Sequence, residues 1–272
     1  METRSLGAYG RPVPAIGMGT WRTFDVRGSR DDAHRRSIVD AALESGVTLF
    51  DSSPMYGEAE RVLGAALAGR RPRGIVATKV WSTSRAEGQR QIERSLALFG
   101  GRVEVFQIHN LAGWRHHLPV LESLRADGRI DVIGATHYRH DAFPELMRVM
   151  ETGRIQQVQI PYNALDRVVE RDVLPLAAQL ELGVLIMQPL GEGSLVRRSP
   201  SRDRMAPLRA AGIATWAQAL LKWILSDRRV HSVLPATTSI EHVYENAAAG
   251  DGPWLDEDQR AYVERLARGT VS

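Results

Sequence analysis

Cysteine is absent from this chain, which removes disulfide frameworks and thiolate metal sites from consideration. That absence accords with a reducing compartment, and a cytoplasmic location is the expectation. No run approaches the ~18 consecutive apolar residues that a membrane-spanning helix requires. The opening residues, METRSLGAYGRPVP, hold no apolar core of a secretory signal. Neither sign of charge dominates: 35 Lys and Arg against 32 Asp and Glu leave a formal net charge of +3. So small an excess, with Arg scattered over helix faces, gives no footprint for nucleic acid. Lysine is nearly missing too, occurring only at 79 and 222. A Lys closing an apolar strand, IVATK (75–79), therefore marks a position that needs a compact ammonium and not a guanidinium fork.

What is present is regular. Across 272 residues, 43% of them hydrophobic, apolar runs of strand length alternate with amphipathic runs of helix length. Residues 3–15, with Gly7, Gly10, Pro12 and Pro14, read as a small hairpin plugging one end of the domain. Strands are predicted at 16–20, 47–51, 75–80, 103–109, 130–136, 156–160, 184–188 and 231–234. Helices are predicted at 31–44, 58–67, 85–99, 118–127, 141–152, 172–182, 214–225 and 240–249, with a last one at 256–268. The segment 193–212 lacks periodicity and reads as a long irregular loop over the ligand face. No linker, compositional break or short repeat divides the chain. Eight strand–helix repeats in one domain over 1–272 favour an α/β fold of the (β/α)8 TIM-barrel type, with an N-terminal β-hairpin and a C-terminal helix.

In such a barrel the carboxyl ends of the strands converge on one face, where catalytic loops lie. Asp51 ends the second strand, Tyr56 follows in its loop, Lys79 ends the third strand and His109 the fourth. A buried carboxylate at a strand end needs a partner, and Lys79 is the candidate. Together the four suit carbonyl reduction. An alkoxide forming on hydride addition needs a proton donor at the oxygen. An ammonium ~4 Å from a phenolate, at an effective dielectric of ~20, contributes ~4 kcal/mol, at most ~3 pKa units, toward making Tyr56 that donor. Asp51 would hold Lys79 charged, and His109 would orient and polarise the carbonyl. Taken singly each residue has an ordinary reading: a buried ion pair, a core histidine, a loop aromatic. Their joint placement on one face carries the functional one.

These four residues, in this order, resemble the catalytic tetrad of the aldo-keto reductases, and the chain is similar to a short, bacterial-type member of that family. The resemblance runs through GMGTW (17–21), LFDSSPMYG (49–57), ATK (77–79), QIH (107–109) and GATHY (134–138). It continues through QIPYNALDR (159–167), PLGEG (189–193) and LPATTSIEHVYEN (234–246). It implies a reductase of aldehydes or ketones using a nicotinamide cofactor laid across the barrel mouth, and no GxGxxG follows the first strand to suggest a Rossmann site instead. By the same resemblance, Gly19, Thr20, Trp21 and Asp51 border the cofactor. Thr136, His137 and Gln159 hold its carboxamide, and Met187 packs on the nicotinamide. Gln188 and Pro189 also contact the cofactor, and the amides of Leu190 to Gly193, Gly191 among them, cradle the pyrophosphate. Thr237 and His242 meet the adenosine phosphate, and Glu245 and Asn246 the adenine. Substrate contacts fall to Trp21, Tyr56, Trp81 and His109, with Trp114 a further candidate.

The chain departs from the family pattern at three places. His137 replaces a common Asn, and Met187 an aromatic. Ala236 and His242 stand where Lys and Arg commonly bind a 2′-phosphate, and a neutral His does not match a guanidinium fork. Arg197, Arg198 and Arg202 are the available substitutes. NADP(H) is the favoured cofactor, with NAD(H) as the alternative. Two other functions compete: a sugar or alcohol dehydrogenase working in the oxidative direction, and a nicotinamide-binding regulatory protein without turnover. A metal hydrolase built on Asp51, His109 and His137 is disfavoured because no HxH or HExxH pair occurs. The sequence carries no signal of oligomeric state.

Overall fold

The structure, a computed structural model, describes residues 1–197 and 199–269. It opens with an antiparallel hairpin, β1 (Thr3–Leu6) and β2 (Arg11–Pro14). The turn between them comes so close to the far side of the barrel that a Cβ on Gly7 would lie 2.5 Å from the Glu181 carbonyl oxygen. With φ of +58° as well, that position requires glycine.

Strand and helix then alternate: β3 (Met18–Gly19), α1 (Ser29–Glu44), β4 (Leu49–Asp51), α2 (Ala59–Leu67), β5 (Ile75–Val80), α3 (Arg85–Leu98), β6 (Val103–His109) and α4 (Trp114–Ala126). They continue with β7 (Ile130–Thr136), α5 (Phe143–Glu151), β8 (Gln157–Pro161), α6 (Val173–Gln179) and β9 (Gly183–Met187). The chain ends with α7 (Arg202–Met205), α8 (Trp216–Leu225), β10 (Ser232–Val233), α9 (Ile240–Ala247) and α10 (Glu257–Arg268). Strands β3 to β10 pair in chain order, each parallel to its neighbour. The sheet closes because the Val233 amide donates to Ala15, Gly17 to Val233 and Gly19 to Pro235, each at 2.9 Å.

Side chains alternate across these strands, so every second residue points into the barrel. Leu49, Ala77, Val105, Val132, Leu185 and Leu234 form the inner apolar layer, and Leu6 and Val13 of the hairpin complete it from below. One layer up, register aligns Lys79 with Gln107, Gln107 with Gly134 and Gly134 with Gln157. Above that, His109 pairs with Thr136 and Thr136 with Gln159. The interior thus turns from hydrocarbon to polar groups toward the carboxyl ends. Outside, the helices pack through stripes such as Ile92, Leu96 and Phe99 into the larger core.

Three expectations change. The first strand is two residues long, with Ile16 contributing an isolated bridge to Val233. Helix α4 starts at Trp114, one turn before Leu118, although Pro119 lies inside it. That first turn is held from outside: Ser82 O lies 2.8 Å from His117 Nε2, and the Trp114 indole donates to Glu145 at 3.0 Å. The segment 193–212 is not one irregular loop over the ligand face. It includes α7, capped by Ser201, and a 3-10 helix over Ala206–Ala211, with Met205, Leu208 and Ala211 buried. Tyr262 of α10 donates to the Arg204 carbonyl at 2.8 Å, so this half packs on the helical layer.

Charge state also enters the fold. The Val184 amide donates to His231 Nδ1 at 3.0 Å, which requires that nitrogen unprotonated. Burial and the neighbouring Arg4 guanidinium push His231 down to about 4. Between the ordinary histidine value near 6.5 and that lower one, the unfolded chain binds a proton the native state refuses. Stability from this group is full above about pH 6.5 and is lost as pH falls toward 4, up to roughly 3 kcal/mol. The urea midpoint should therefore drop from pH 7 to 5, and drop less in His231→Gln, whose amide oxygen can still accept from Val184. Equal slopes in the two proteins would contradict a neutral His231.

Candidate active site

Asp51 ends β4 and Lys79 sits in β5, and the two meet inside the barrel mouth. Lys79 Nζ donates to both carboxylate oxygens, at 2.8 and 2.7 Å, and to the Ser52 carbonyl at 2.8 Å. The pair is sealed from solvent, Lys79 being 1% and Asp51 4% exposed. An uncompensated charge here would be costly, so the bidentate contact is what permits the burial. Gln107, one strand further, donates to Asp51 Oδ1 at 3.2 Å. Over this base lies Tyr56, with Lys79 Nζ 5.0 Å from its ring centroid. His109 completes the group edge-on to Tyr56, centroids 5.7 Å apart and planes at 87°. The structure thus brings together all four residues singled out in the sequence.

Their protonation is partly unlike the expectation. Burial pushes the Tyr56 phenol above its ordinary value near 10; Lys79 pulls it down and Asp51 pushes it further up, and the rise prevails. Desolvation and the Asp51 carboxylate together outweigh the attraction of the Lys79 ammonium. Lys79 stays charged: burial works against the ammonium, but Asp51 and Tyr56 together raise it. His109 lies well below the usual histidine range, through burial first, then the Lys79 ammonium and His137. It is neutral near neutrality, a hydrogen-bonding group and not a cation.

Around this centre the other candidates fall on strand ends, on the loops that leave them and on α9. Thr20 follows β3, and its hydroxyl donates to the Asp51 carbonyl at 3.0 Å, beside buried Gly19. Trp21 and Trp81 are 38% and 44% exposed and flank an open mouth, whereas Trp114 is tied toward α5. Thr136 Oγ1 and Gln159 Oε1 are buried with no hydrogen-bond partner. His137 stacks on Tyr138, and its Nδ1 accepts from the Arg139 amide at 3.1 Å. At the end of β9, Met187 is half-buried; beyond it Pro189 is buried, and the Gln188 carbonyl accepts from Asn163 at 3.1 Å. The Gly191 and Gly193 amides are bonded within their own turn, to the Gln188 and Leu190 carbonyls at 3.0 Å. At the start of α9, Thr237 Oγ1 lies 3.5 Å from His242 Nδ1, His242 Nε2 lies 4.0 Å from Glu245, and Asn246 is buried. Arg197 and Arg202 are exposed; Arg198 lies outside the described residues.

Backbone strain gathers at the same face. Of six non-glycine residues with positive φ among those described, five (Arg22, Asn110, Leu111, Gln188 and Glu192) lie in loops that leave strand carboxyl ends. Such strain persists only where surrounding contacts hold it, as ligand-binding loops often do. Among the described residues, no group of three or more His, Asp, Glu or Cys could hold a metal ion. Both Asp51 oxygens are bonded to Lys79.

Two supporting residues escaped the sequence reading. Gln107 could have been found as a polar side chain at an inward strand position, two residues before His109. Ser53, whose hydroxyl lies 3.0 Å from His109 Nδ1, had no signal beyond adjacency to Asp51.

The family model for the aldo/keto reductase family matches residues 15–268. The methylglyoxal reductase YeaE of Escherichia coli (strain K12) is 29% identical over 249 residues, 87% of this chain and 85% of that protein. An NADH-specific methylglyoxal reductase of the same organism is 27% identical, covering 98% of this chain and all of its own. A crystal structure of an aldo/keto reductase from Klebsiella pneumoniae with NADP and acetate superposes with a TM-score of 0.81 at 28% identity, over 97% of this chain and 95% of that one.

Proposed function

Since this chain belongs to the aldo/keto reductase family, we propose that it reduces small aldehydes, 2-oxoaldehydes of the methylglyoxal kind foremost, with Tyr56 as the proton donor. The observation that carries the reading is Lys79, bonded to both oxygens of Asp51 directly below the Tyr56 ring, with His109 at the ring's edge. The substrate class rests on two relatives that are methylglyoxal reductases, and Trp21 and Trp81, both exposed beyond strand ends, are the apolar side chains offered to a substrate.

The residues present fit a nicotinamide cofactor. Thr136 Oγ1 and Gln159 Oε1 are buried and unpartnered, a costly state that a carboxamide, with a donor and an acceptor, relieves. When bound, the nicotinamide supplies the hydride. The protein's part is to hold the carbonyl oxygen between Tyr56 and neutral His109, and to give that oxygen the phenolic proton as negative charge develops. Lys79 stabilises the phenolate left behind, and Asp51 keeps Lys79 in place.

NADP(H) is the cofactor we assign, as in the Klebsiella structure. Ala236 and His242 offer no guanidinium, but Arg27 and Arg30 line an open depression of about 700 Å3 together with Asp31 and His34, Arg27 being paired with Glu58 at 3.3 Å. His34 Nε2 reaches the Thr238 carbonyl at 2.9 Å, beside Thr237. The NADH-specific relative keeps NADH as the second reading. Fluorescence titration with each cofactor, followed by methylglyoxal-dependent oxidation of the one that binds, tests both points. Saturable binding of NADPH and turnover are expected. Binding without turnover across a carbonyl panel would favour a regulatory protein, turnover only with an alcohol or sugar and oxidised cofactor would favour a dehydrogenase, and binding of neither cofactor would end the proposal.

A further inference from the structure

Ser53 is buried completely, two residues beyond the β4 strand end, and it touches both Tyr56 and His109. Its carbonyl accepts from the Tyr56 amide at 3.0 Å. Its hydroxyl oxygen accepts from the Met55 amide at 3.3 Å and lies 3.0 Å from His109 Nδ1. We propose that Ser53 is a positioning residue that fixes His109 in the tautomer carrying its proton on Nε2. The inference rests on the carbonyl-reductase reading only for its consequence, not for its geometry.

The Met55 amide takes one of the two lone pairs of the Ser53 oxygen, and the fully buried hydroxyl still has a proton that needs an acceptor. The hydroxyl proton is left to be given away, and Nδ1 is the acceptor within reach. A neutral imidazole that accepts at Nδ1 holds its proton at Nε2. The burial of His109 beside the Lys79 ammonium keeps the ring neutral, so the choice between nitrogens is real. With the proton on Nε2, that nitrogen donates to a carbonyl oxygen; with the proton on Nδ1, it would present a lone pair and repel one. Ser52, the neighbour, is directed elsewhere, its hydroxyl oxygen lying 3.0 Å from Thr20 Oγ1. Position 53 is therefore the one that joins the Tyr56 turn to the imidazole.

Nitrogen-15 NMR of histidine-labelled protein reads the tautomer directly, with H109N used to assign the signal. Wild type should show the Nε2–H pattern. In S53A the Nδ1 resonance should move and the two tautomers mix. In S53T, which keeps the hydroxyl, the wild-type pattern should return. Carbonyl turnover should follow: kcat lower by roughly tenfold in S53A, restored in S53T, with KM and cofactor affinity changed little. An Nδ1–H pattern in wild type, or a spectrum unchanged in S53A, would overturn the assignment. Because the spectra need no substrate, absence of wild-type turnover would count against the reductase reading and leave the tautomer result standing.

Discussion

Tyr56→Phe should reduce carbonyl turnover by about a thousandfold or more while leaving cofactor binding and thermal stability close to wild type. The ring remains packed against the core and over Lys79, because only the hydroxyl is deleted. What disappears is the group placed to protonate the nascent alkoxide. Burial holds the phenol above its ordinary value, so it keeps its proton through neutral and mildly alkaline pH. Reduction by wild type should accordingly stay level between about pH 7 and 9 and fall only where tyrosine ionises. His109 adds no step near the usual histidine value, since it is already neutral there. Stopped-flow single turnovers separate this loss from product release. A variant within tenfold of wild type would remove Tyr56 from the role.

Lys79→Met should cost both activity and about 3–5 kcal/mol of stability, on the order of a 10 °C fall in Tm for a chain of this size. The reason is not the loss of an attractive pair as such. Asp51 would remain buried with only Gln107 to bond its carboxylate, and that stranded charge dominates the penalty. Asp51→Asn together with Lys79→Met should therefore be less destabilising than the sum of the two single changes. Urea unfolding of the four proteins gives the coupling directly. Additive losses would show that the two side chains do not depend on each other.

The parts of the fold that could be read from the sequence are those where local pattern and tertiary environment agree. Strands β5 to β7 carry apolar residues on both faces, and their ends were placed to the residue at Lys79, His109 and Thr136 or one beyond. The tetrad followed from those ends. Where context overrides pattern, the reading failed. Helix α4 begins at Trp114, a turn ahead of the predicted 118, because Ser82 and Glu145 hold that turn from neighbouring elements. Arg202–Met205 is too short for periodicity to show, and three buried side chains decide the path from 205 to 211. At the site, charge alone suggested that Lys79 lowers Tyr56. Desolvation, which depends on three-dimensional burial, reverses the sign. Ser53 shows the same limit, since its partner lies 56 residues away.

The scarcity of lysine has a practical side. Lys79 is 1% and Lys222 2% exposed, so the folded protein offers no side-chain amine to acylating reagents, ester dyes or lysine-directed crosslinkers. Any lysine label that does attach records an opening event. Modification at Lys79 reports breathing of the barrel mouth, and modification at Lys222, whose ammonium donates to the Asp251 and Pro253 carbonyls, reports release of the segment before α10. Two residues thus divide the molecule into separately timed zones, readable by mass spectrometry with no tag introduced.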